Sequence, residues 1–172
     1  MFPVLLLSGI LLGSGVQPHA PNVPAAVILK PQVVNVTQVS VSPASLSFTA
    51  ANPDSSPLVA GSSSAVVTWK TTGGSVTSPW TLRISSPDTF SSCATVPASA
   101  VTVSCASITG GSGATCGGAS TLSSSAVQIA NGLQSNGSTT YSVSLTFTLQ
   151  DSWKYIASSL CALTVSYTVT AN

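Results

Sequence analysis

The segment TTYSVSLTFTLQ, residues 139 to 150, alternates apolar and hydroxyl side chains with almost no exception. Successive side chains of a β-strand point to opposite faces, so this alternation predicts a strand with one face on a core. The apolar face carries Tyr, Val, Leu and Phe, and the other face, from Ser142 to Thr148, carries only Ser and Thr. Strand faces that meet water ordinarily carry charged residues. The segment therefore predicts a strand and leaves open what its hydroxyl face contacts.

Segments with the same alternation recur along the chain, and helix-forming sequence is nearly absent. They include SLSFTA, SSAVVTWKT, WTLRIS, AVTVSCAS and CALTVSYTVTA. Turn-forming clusters rich in Gly, Pro, Asn and Ser separate them, namely NPDSSP, TTGGSVTSP, SSPD, TGGSG and NGLQSNG. This spacing predicts an all-β fold, an antiparallel immunoglobulin-like sandwich of about seven to nine strands with an extended N-terminal arm.

Charge is scarce throughout the sequence. Only 4% of the 172 residues are charged, and four basic and three acidic residues leave a formal net charge of +1. An ordinary globular chain has about 25% charged residues. Such a chain has no field that would attract a nucleic acid or an anionic membrane, so neither partner is expected.

Three regions are predicted. Residues 1–20 form an apolar N-terminus that is signal-like or a retained arm, 21–38 an extended Pro- and Val-rich arm or linker, and 39–172 the disulfide-bonded sandwich domain. The apolar run is shorter than the ~20 residues of a membrane-spanning helix, so no stable membrane span is expected. Its length suits a signal peptide, although no Lys or Arg precedes it. The expected location is secreted, extracellular or at the cell surface.

The arm admits three interpretations. Its inside-outside phase slips between VVNV and VSVS, which predicts a bulge or a crossing from one packing partner to another. The segment is a linker into the first strand, a strand folded back onto its own sheet edge, or a strand added to another subunit. In the third interpretation the subunit contacts are Val27, Ile28, Leu29, Val33, Val34 and Val36.

The four cysteines predict two disulfides. Gly-rich turn sequence lies midway between Cys105 and Cys116, which favours a hairpin that pairs them and leaves Cys93 with Cys161. The rival pairing joins Cys105 to Cys161 across the two sheets, because both lie on predicted core faces. The chain has no CxxC motif and no dense cluster of oxygen ligands, so no metal site and no cofactor are expected.

The sequence is poor in the histidines and carboxylates that catalysis usually needs. His19 is the single histidine and precedes the domain, so no Ser-His or Cys-His pair is expected within it. The carboxylates are Asp54, Asp88 and Asp151, whose spacing does not suggest the pair that a glycosidase needs. Asp54 and Asp88 fit turn positions, where a short acceptor bonds nearby backbone N–H groups. The chain is therefore predicted not to be an enzyme.

The aromatic residues divide into core and surface candidates. Trp69 and Trp80 alternate with apolar neighbours and are predicted to lie in the core. Trp153, with Tyr155 nearby in DSWKY, is a candidate glycan platform or a plug for the end of the sandwich. The candidate N-glycosylation sites are Asn35 in NVT and Asn136 in NGS.

The stretch VSVSPASLSFTAANPDSSP, followed by VVTWKTTGG and SPWTLRISSPDTF, resembles the opening strands of immunoglobulin-like domains of secreted bacterial proteins, in particular the BACON type. Those domains begin with a P-x-S-L-x-F strand, here Pro43, Ser45, Leu46 and Phe48, followed by a tryptophan strand. The resemblance covers residues 39 to 90, and the cysteine-bearing second half departs from it. It implies an extracellular accessory module, a class in which some members have a proposed role in binding glycans or mucins.

Two hypotheses on function remain. In the first, the chain is a structural subunit of an extracellular, pilus-like filament or surface layer that binds copies of itself by N-terminal strand addition. In the second, it is a monomeric carbohydrate-binding or adhesion module of a secreted protein. The first accounts for the scarcity of charge, because hydroxyl faces pack on protein or attached glycans without the desolvation cost of buried charges.

Overall fold

The computed structural model describes residues 25–34, 36–49, 51–74, 76–155 and 161–171. Within these residues the regular structure consists of strands and one short 3-10 turn, Ala98–Ala100. In chain order the strands are β1 (Ala25–Val34), β2 (Thr37–Ser42), β3 (Ser45–Phe48), β4 (Leu58–Ala60), β5 (Ala65–Gly74), β6 (Pro79–Ser85), β7 (Thr89–Phe90), β8 (Cys93–Pro97), β9 (Val101–Thr109), β10 (Ser112–Cys116), β11 (Ser120–Thr121), β12 (Val127–Leu133), β13 (Gly137–Gln150) and β14 (Cys161–Ala171).

The strands form two main sheets that pack face to face. Sheet A has the order β10-β12-β6-β14-β1-β3, and sheet B has the order β11-β9-β13-β5-β2, with β4 also paired to β13. A two-stranded ribbon of β7 and β8 completes the described strands. All pairings among them are antiparallel except that of β1 with β14, which is parallel. The predicted all-β antiparallel sandwich is confirmed.

The alternating sequence places the core between the sheets. From sheet B, β13 buries its apolar side chains Tyr141, Val143, Leu145, Phe147 and Leu149. From sheet A, β14 buries its own alternating set, Cys161, Leu163, Val165, Tyr167 and Val169. Each large apolar side chain buried in this way contributes about 1.5 to 3 kcal/mol relative to exposure. This burial is what the period-2 pattern predicts.

Three aromatic rings form the centre of one part of this core. Trp69 stacks on Tyr141 with ring centroids 5.4 Å apart and an interplanar angle of 8°. Trp80 meets Trp69 edge to face, with centroids 5.0 Å apart. Both tryptophans are fully buried, which confirms their predicted place in the core.

The first glycine of NGLQSNG, Gly132, explains one difference from the sequence prediction. This cluster is predicted to be a turn, but Gly132 lies within β12, directly opposite Trp80 in the register. A Cβ atom on Gly132 would lie 2.8 Å from carbon atoms of the Trp80 ring. The glycine therefore makes room for the indole rather than breaking the strand.

The described residues form fourteen strands rather than seven to nine. Several of the additional strands, such as β4, β7 and β11, have only two or three residues. Strands this short carry too few alternating residues for a period-2 pattern to be recognisable. Their existence depends on tertiary pairing, which the local sequence does not encode.

The predicted slip of phase in the N-terminal segment is a crossing between sheets. β1 lies in sheet A and β2 lies in sheet B, so the chain changes packing partner between them. The pairing of β2 with β5 also shifts register between Thr37 and Ser40, beside Gln38, whose φ is 58°. A bulge and a crossing are thus both present.

The cysteines form the pairs Cys93–Cys161 and Cys105–Cys116, each with Cα atoms 5.3 Å apart. The predicted pairing is confirmed, and Cys105 does not pair with Cys161. The predicted hairpin is wrong in one respect, because β9 lies in sheet B and β10 in sheet A. The Gly-rich turn carries the chain from one sheet to the other, so Cys105–Cys116 links the two sheets near their edges. Two disulfides indicate an oxidising environment.

Candidate functional site

The N-terminal strand is inserted into the sandwich. β1 lies between β14 and β3 in sheet A. All ten residues of β1 have partners on β14, from Ala25 opposite Cys161 to Val34 opposite Thr170. β3 pairs with β1 only over residues 25 to 28. The segment predicted to precede the domain is therefore one of the inner strands of its sheet.

This position gives β1 a structural role that an appended linker would not have. β14 has β6 on one side and β1 on the other, and its inward side chains are buried. Without β1, the N–H and C=O groups along one edge of β14 would lose their ladder partners at a site next to the core. The sandwich thus has a strand-shaped groove between β14 and β3, and β1 fills it.

In the structure of the single chain, the chain's own β1 fills the groove. This arrangement corresponds to the interpretation in which the segment folds back onto its own sheet. Five of the six predicted contact residues, Val27, Ile28, Leu29, Val33 and Val34, lie in β1. The sixth, Val36, lies just after it and packs, half-buried, against the core. Placement of β1 in a neighbouring subunit stays a prediction.

A second candidate site lies where two loops meet at one end of the sandwich. The loop after β13 carries Trp153, whose indole Nε1–H donates to Oδ1 of Asp54 in the loop after β3, at 3.0 Å. The Asp151 backbone N–H donates to the Pro57 carbonyl at 2.8 Å and holds the loops together. The Trp153 side chain is 45% exposed. It is therefore a surface residue held at its edge, and the alternative that it plugs the sandwich is not supported.

Tyr155, the other predicted platform residue, is half-buried and packs against the core. Burial, and secondarily the negative charge of Asp151, raise the pKa of its phenol above the ordinary value of 10.0. Asp151 is itself buried, and its Oδ1 accepts the Ser152 N–H at 2.8 Å. Its Oδ2 has no hydrogen-bond partner in the described part of the chain. Of the two predicted platform residues, Trp153 is therefore the exposed one, and Tyr155 packs against the core.

The other two aspartates have contacts that turn chemistry alone does not predict. Asp54 accepts from Trp153, and it is Asn52 whose Oδ1 accepts the Asp54 N–H at 2.9 Å. Asp88 Oδ1 accepts the N–H of Ser124 at 3.0 Å. In both cases the carboxylate joins segments distant in sequence, so the expectation that each bonds its own turn is wrong.

The hydroxyl faces form ordered rows across the strands. One row on sheet B consists of Ser40, Thr68, Ser142 and Thr109, each opposite the next in the register. The hydroxyls of Thr109 and Ser142 are hydrogen-bonded to each other. The face therefore satisfies part of its hydrogen bonding within itself and can meet another uncharged surface without burying a charge.

Of the two candidate glycosylation sites, Asn136 is exposed in the loop before β13, beside Gly137 with φ +77°. Asn35 lies outside the described residues. The described residues contain no group of three or more His, Cys, Asp and Glu side chains placed to bind a metal ion. Nor do they include a helix with the length and hydrophobicity needed to cross a bilayer.

The geometry therefore offers two candidate sites, the inserted strand and the tryptophan loop. Comparison with known proteins does not choose between them, and the similarity to BACON-type domains stays a prediction. No protein-family model matches the sequence, and no curated protein is significantly similar to it.

Proposed function

We propose that this protein is a secreted structural subunit of an extracellular filament or surface layer, and that subunits join when β1 of one copy enters sheet A of the next. The observation that carries the proposal is the position of β1 between β14 and β3. A strand at the N-terminal end of the described chain that is needed to complete a sheet is suited to exchange between copies.

The energetics permit exchange because the ladder is the same in both arrangements. A β1 strand pairs with β14 over ten residues whether the two strands belong to one chain or to two. The difference in free energy between the arrangements therefore comes from the link between β1 and β2 and from protein concentration, not from new contacts. That link is short, because only residues 35 and 36 separate the two strands.

A one-way exchange can produce an open polymer. If each subunit donates β1 forward and receives β1 from behind, the contact is heterologous, and it builds an open filament when the rotation between subunits does not close a ring. The outer faces carry few charges and support the same assembly, because the row of Ser and Thr on sheet B can lie against a neighbour without desolvating a charged group.

Paired cysteines test the exchange directly. Gln32 lies opposite Thr168 in the register, so the two Cα atoms are about 4.8 Å apart, within the range that a disulfide spans. Assembled protein carrying Gln32→Cys and Thr168→Cys is oxidised and run on a denaturing gel without reductant. We expect a ladder of covalent multimers, because the two positions belong to different chains in the filament.

The matched control replaces Thr168→Cys by Arg83→Cys. Arg83 lies opposite Thr168 on the far side, on β6, so it is two strands and about 10 Å from Gln32. This variant should give no ladder. Crosslinked monomers alone from the Gln32/Thr168 variant, or the absence of any regular polymer in electron micrographs, would contradict the proposal.

A further inference from the structure

We infer that the loop pair around Trp153 is a binding site for a neutral carbohydrate, stacked on the exposed indole ring. The site lies at the tip of the single chain and does not depend on assembly. All three tryptophans are described, and two of them, Trp69 and Trp80, are fully buried. Trp153 is 45% exposed, although burying an indole is strongly favourable.

Polar groups are concentrated at the same tip. The chain has only four basic and three acidic residues, and three of these, Asp54, Asp151 and Lys154, lie in the two loops. One of the other exposed large hydrophobic residues, Leu58, follows Pro57, whose carbonyl anchors the Trp153 loop. An apolar surface with a few fixed polar groups is the usual composition of a small-ligand site.

The hydrogen bond to Asp54 orients the ring through its edge, and the side chain stays 45% exposed. An indole N–H lies in the plane of the ring, so the bond of 3.0 Å to Asp54 Oδ1 is made at the ring edge. The electron-rich face of an indole attracts the weakly positive C–H groups that line one face of a pyranose ring. Asp54 is exposed, so its carboxylate can also accept a hydrogen bond from a sugar hydroxyl beside the ring edge.

Residues 151 to 155 of this loop are also preorganised. Besides the bond between Asp151 and Pro57, Ser152 Oγ accepts the Lys154 N–H at 3.3 Å, and the Ser152 carbonyl accepts the Tyr155 N–H at 3.0 Å. A loop fixed in this way loses little conformational entropy when a ligand stacks on it. The exposed carboxylate of Asp54 disfavours an anionic sugar, so the predicted ligand is neutral.

The test titrates the full chain with three neutral probes, cellohexaose, chitohexaose and mannohexaose, and with an anionic probe, a galacturonate hexamer. Binding is measured by calorimetry and by tryptophan fluorescence. Because Trp69 and Trp80 are fully buried, a shift in emission on ligand addition reports Trp153. We expect at least one neutral probe to bind and to shift the emission, and the anionic probe to bind more weakly.

Substitutions locate the site. Trp153→Ala should weaken binding at least about fivefold, the factor that corresponds to a loss of about 1 kcal/mol of ring stacking. Asp54→Asn keeps an acceptor for the indole and should narrow the difference between neutral and anionic probes. Val76→Ala is the control, because Val76 has a similar exposure, 47%, but lies in the turn after β5. Equal affinity of the Trp153→Ala and unmodified chains, or no binding of any neutral probe at millimolar concentration, would overturn the inference.

Discussion

At the scale of single residues, Tyr167 is a buried polar group whose ionisation affects stability at high pH. It lies on β14, its ring is fully buried, and its hydroxyl has no hydrogen-bond partner among the described residues. Burial raises the pKa of this phenol far above the ordinary value of 10.0. A buried hydroxyl without a partner costs about 1 to 3 kcal/mol of desolvation.

Because the pKa of Tyr167 is raised, the stability of the folded chain should decrease at alkaline pH. Above about pH 10 the unfolded chain loses the Tyr167 proton while the folded chain keeps it, so stability falls as pH rises through this range. The contribution is fully present below pH 10, where both states are protonated. Tyr167→Phe should therefore reduce the alkaline loss of stability and leave stability near neutral pH unchanged or higher by about 1 kcal/mol.

Urea unfolding at several pH values between 8 and 11 measures this prediction. Tyr155→Phe provides the comparison, because Tyr155 is only half-buried and its pKa is raised for the same main reason, burial. Parallel pH profiles for Tyr167→Phe and the unmodified chain would show that Tyr167 does not titrate differently in the two states.

The sequence predicts the surroundings of a residue correctly where the pattern of its neighbours in the chain determines whether it is buried. Trp69 and Trp80 alternate with apolar neighbours, and both are in the core. The partners of Asp54 and Asp88 could not be predicted, because Trp153 and Ser124 are brought to them by tertiary folding. Separations of 99 and 36 residues leave no local trace in the sequence.

At the scale of elements, long alternating strands were predictable and partner choice was not. The alternation of β13 and β14 specifies which face is buried, and the phase slip before β2 specifies a change of packing partner. Nothing in the sequence of β1 specifies a parallel neighbour, because the pattern along a strand is independent of the direction of its partner. The insertion of β1 beside β14 is therefore information that only the three-dimensional structure provides.

The two disulfides should differ in their contribution to stability. Cys93–Cys161 closes a loop of 68 residues in sequence, and Cys105–Cys116 closes one of 11. By loop-closure entropy, the longer loop stabilises by about 4 kcal/mol and the shorter by about 3 kcal/mol. We expect Cys93→Ala with Cys161→Ala to lower the free energy of unfolding more than Cys105→Ala with Cys116→Ala does.

The burial of the cysteines predicts the same ranking of the two disulfides. Cys93 and Cys161 are buried, whereas Cys105 is half-buried and Cys116 is exposed, so the first pair of substitutions opens more space in the core. Urea denaturation of the two double variants measures the difference. A larger loss from the Cys105/Cys116 variant would mean that the link between the sheets matters more than the entropy of the long loop.

At the scale of the whole molecule, the scarcity of charge and the inserted strand have a common explanation in the proposed assembly. A net charge of +1 on 172 residues gives weak repulsion between copies, which is a disadvantage for a concentrated monomer but not for a polymer. In the proposed assembly, ladder hydrogen bonds between β1 and its neighbours hold subunits without ion pairs. The proposed filament should for this reason be little affected by salt.

The last prediction concerns the groove itself. A chain without residues 1–36 lacks β1, so β14 and β3 lose the strand that lies between them. We expect the truncated chain to be less stable, to form no filaments, and to regain stability when a synthetic peptide of residues 23–36 is added, because the peptide restores the ladder. Thermal unfolding with and without peptide, together with electron microscopy, measures these outcomes.

The control peptide carries Val27→Pro, which removes an N–H from the part of β1 that has strands on both sides and should bind poorly. Normal filaments from the truncated chain, or equal stabilisation by both peptides, would show that β1 is not the element that joins subunits.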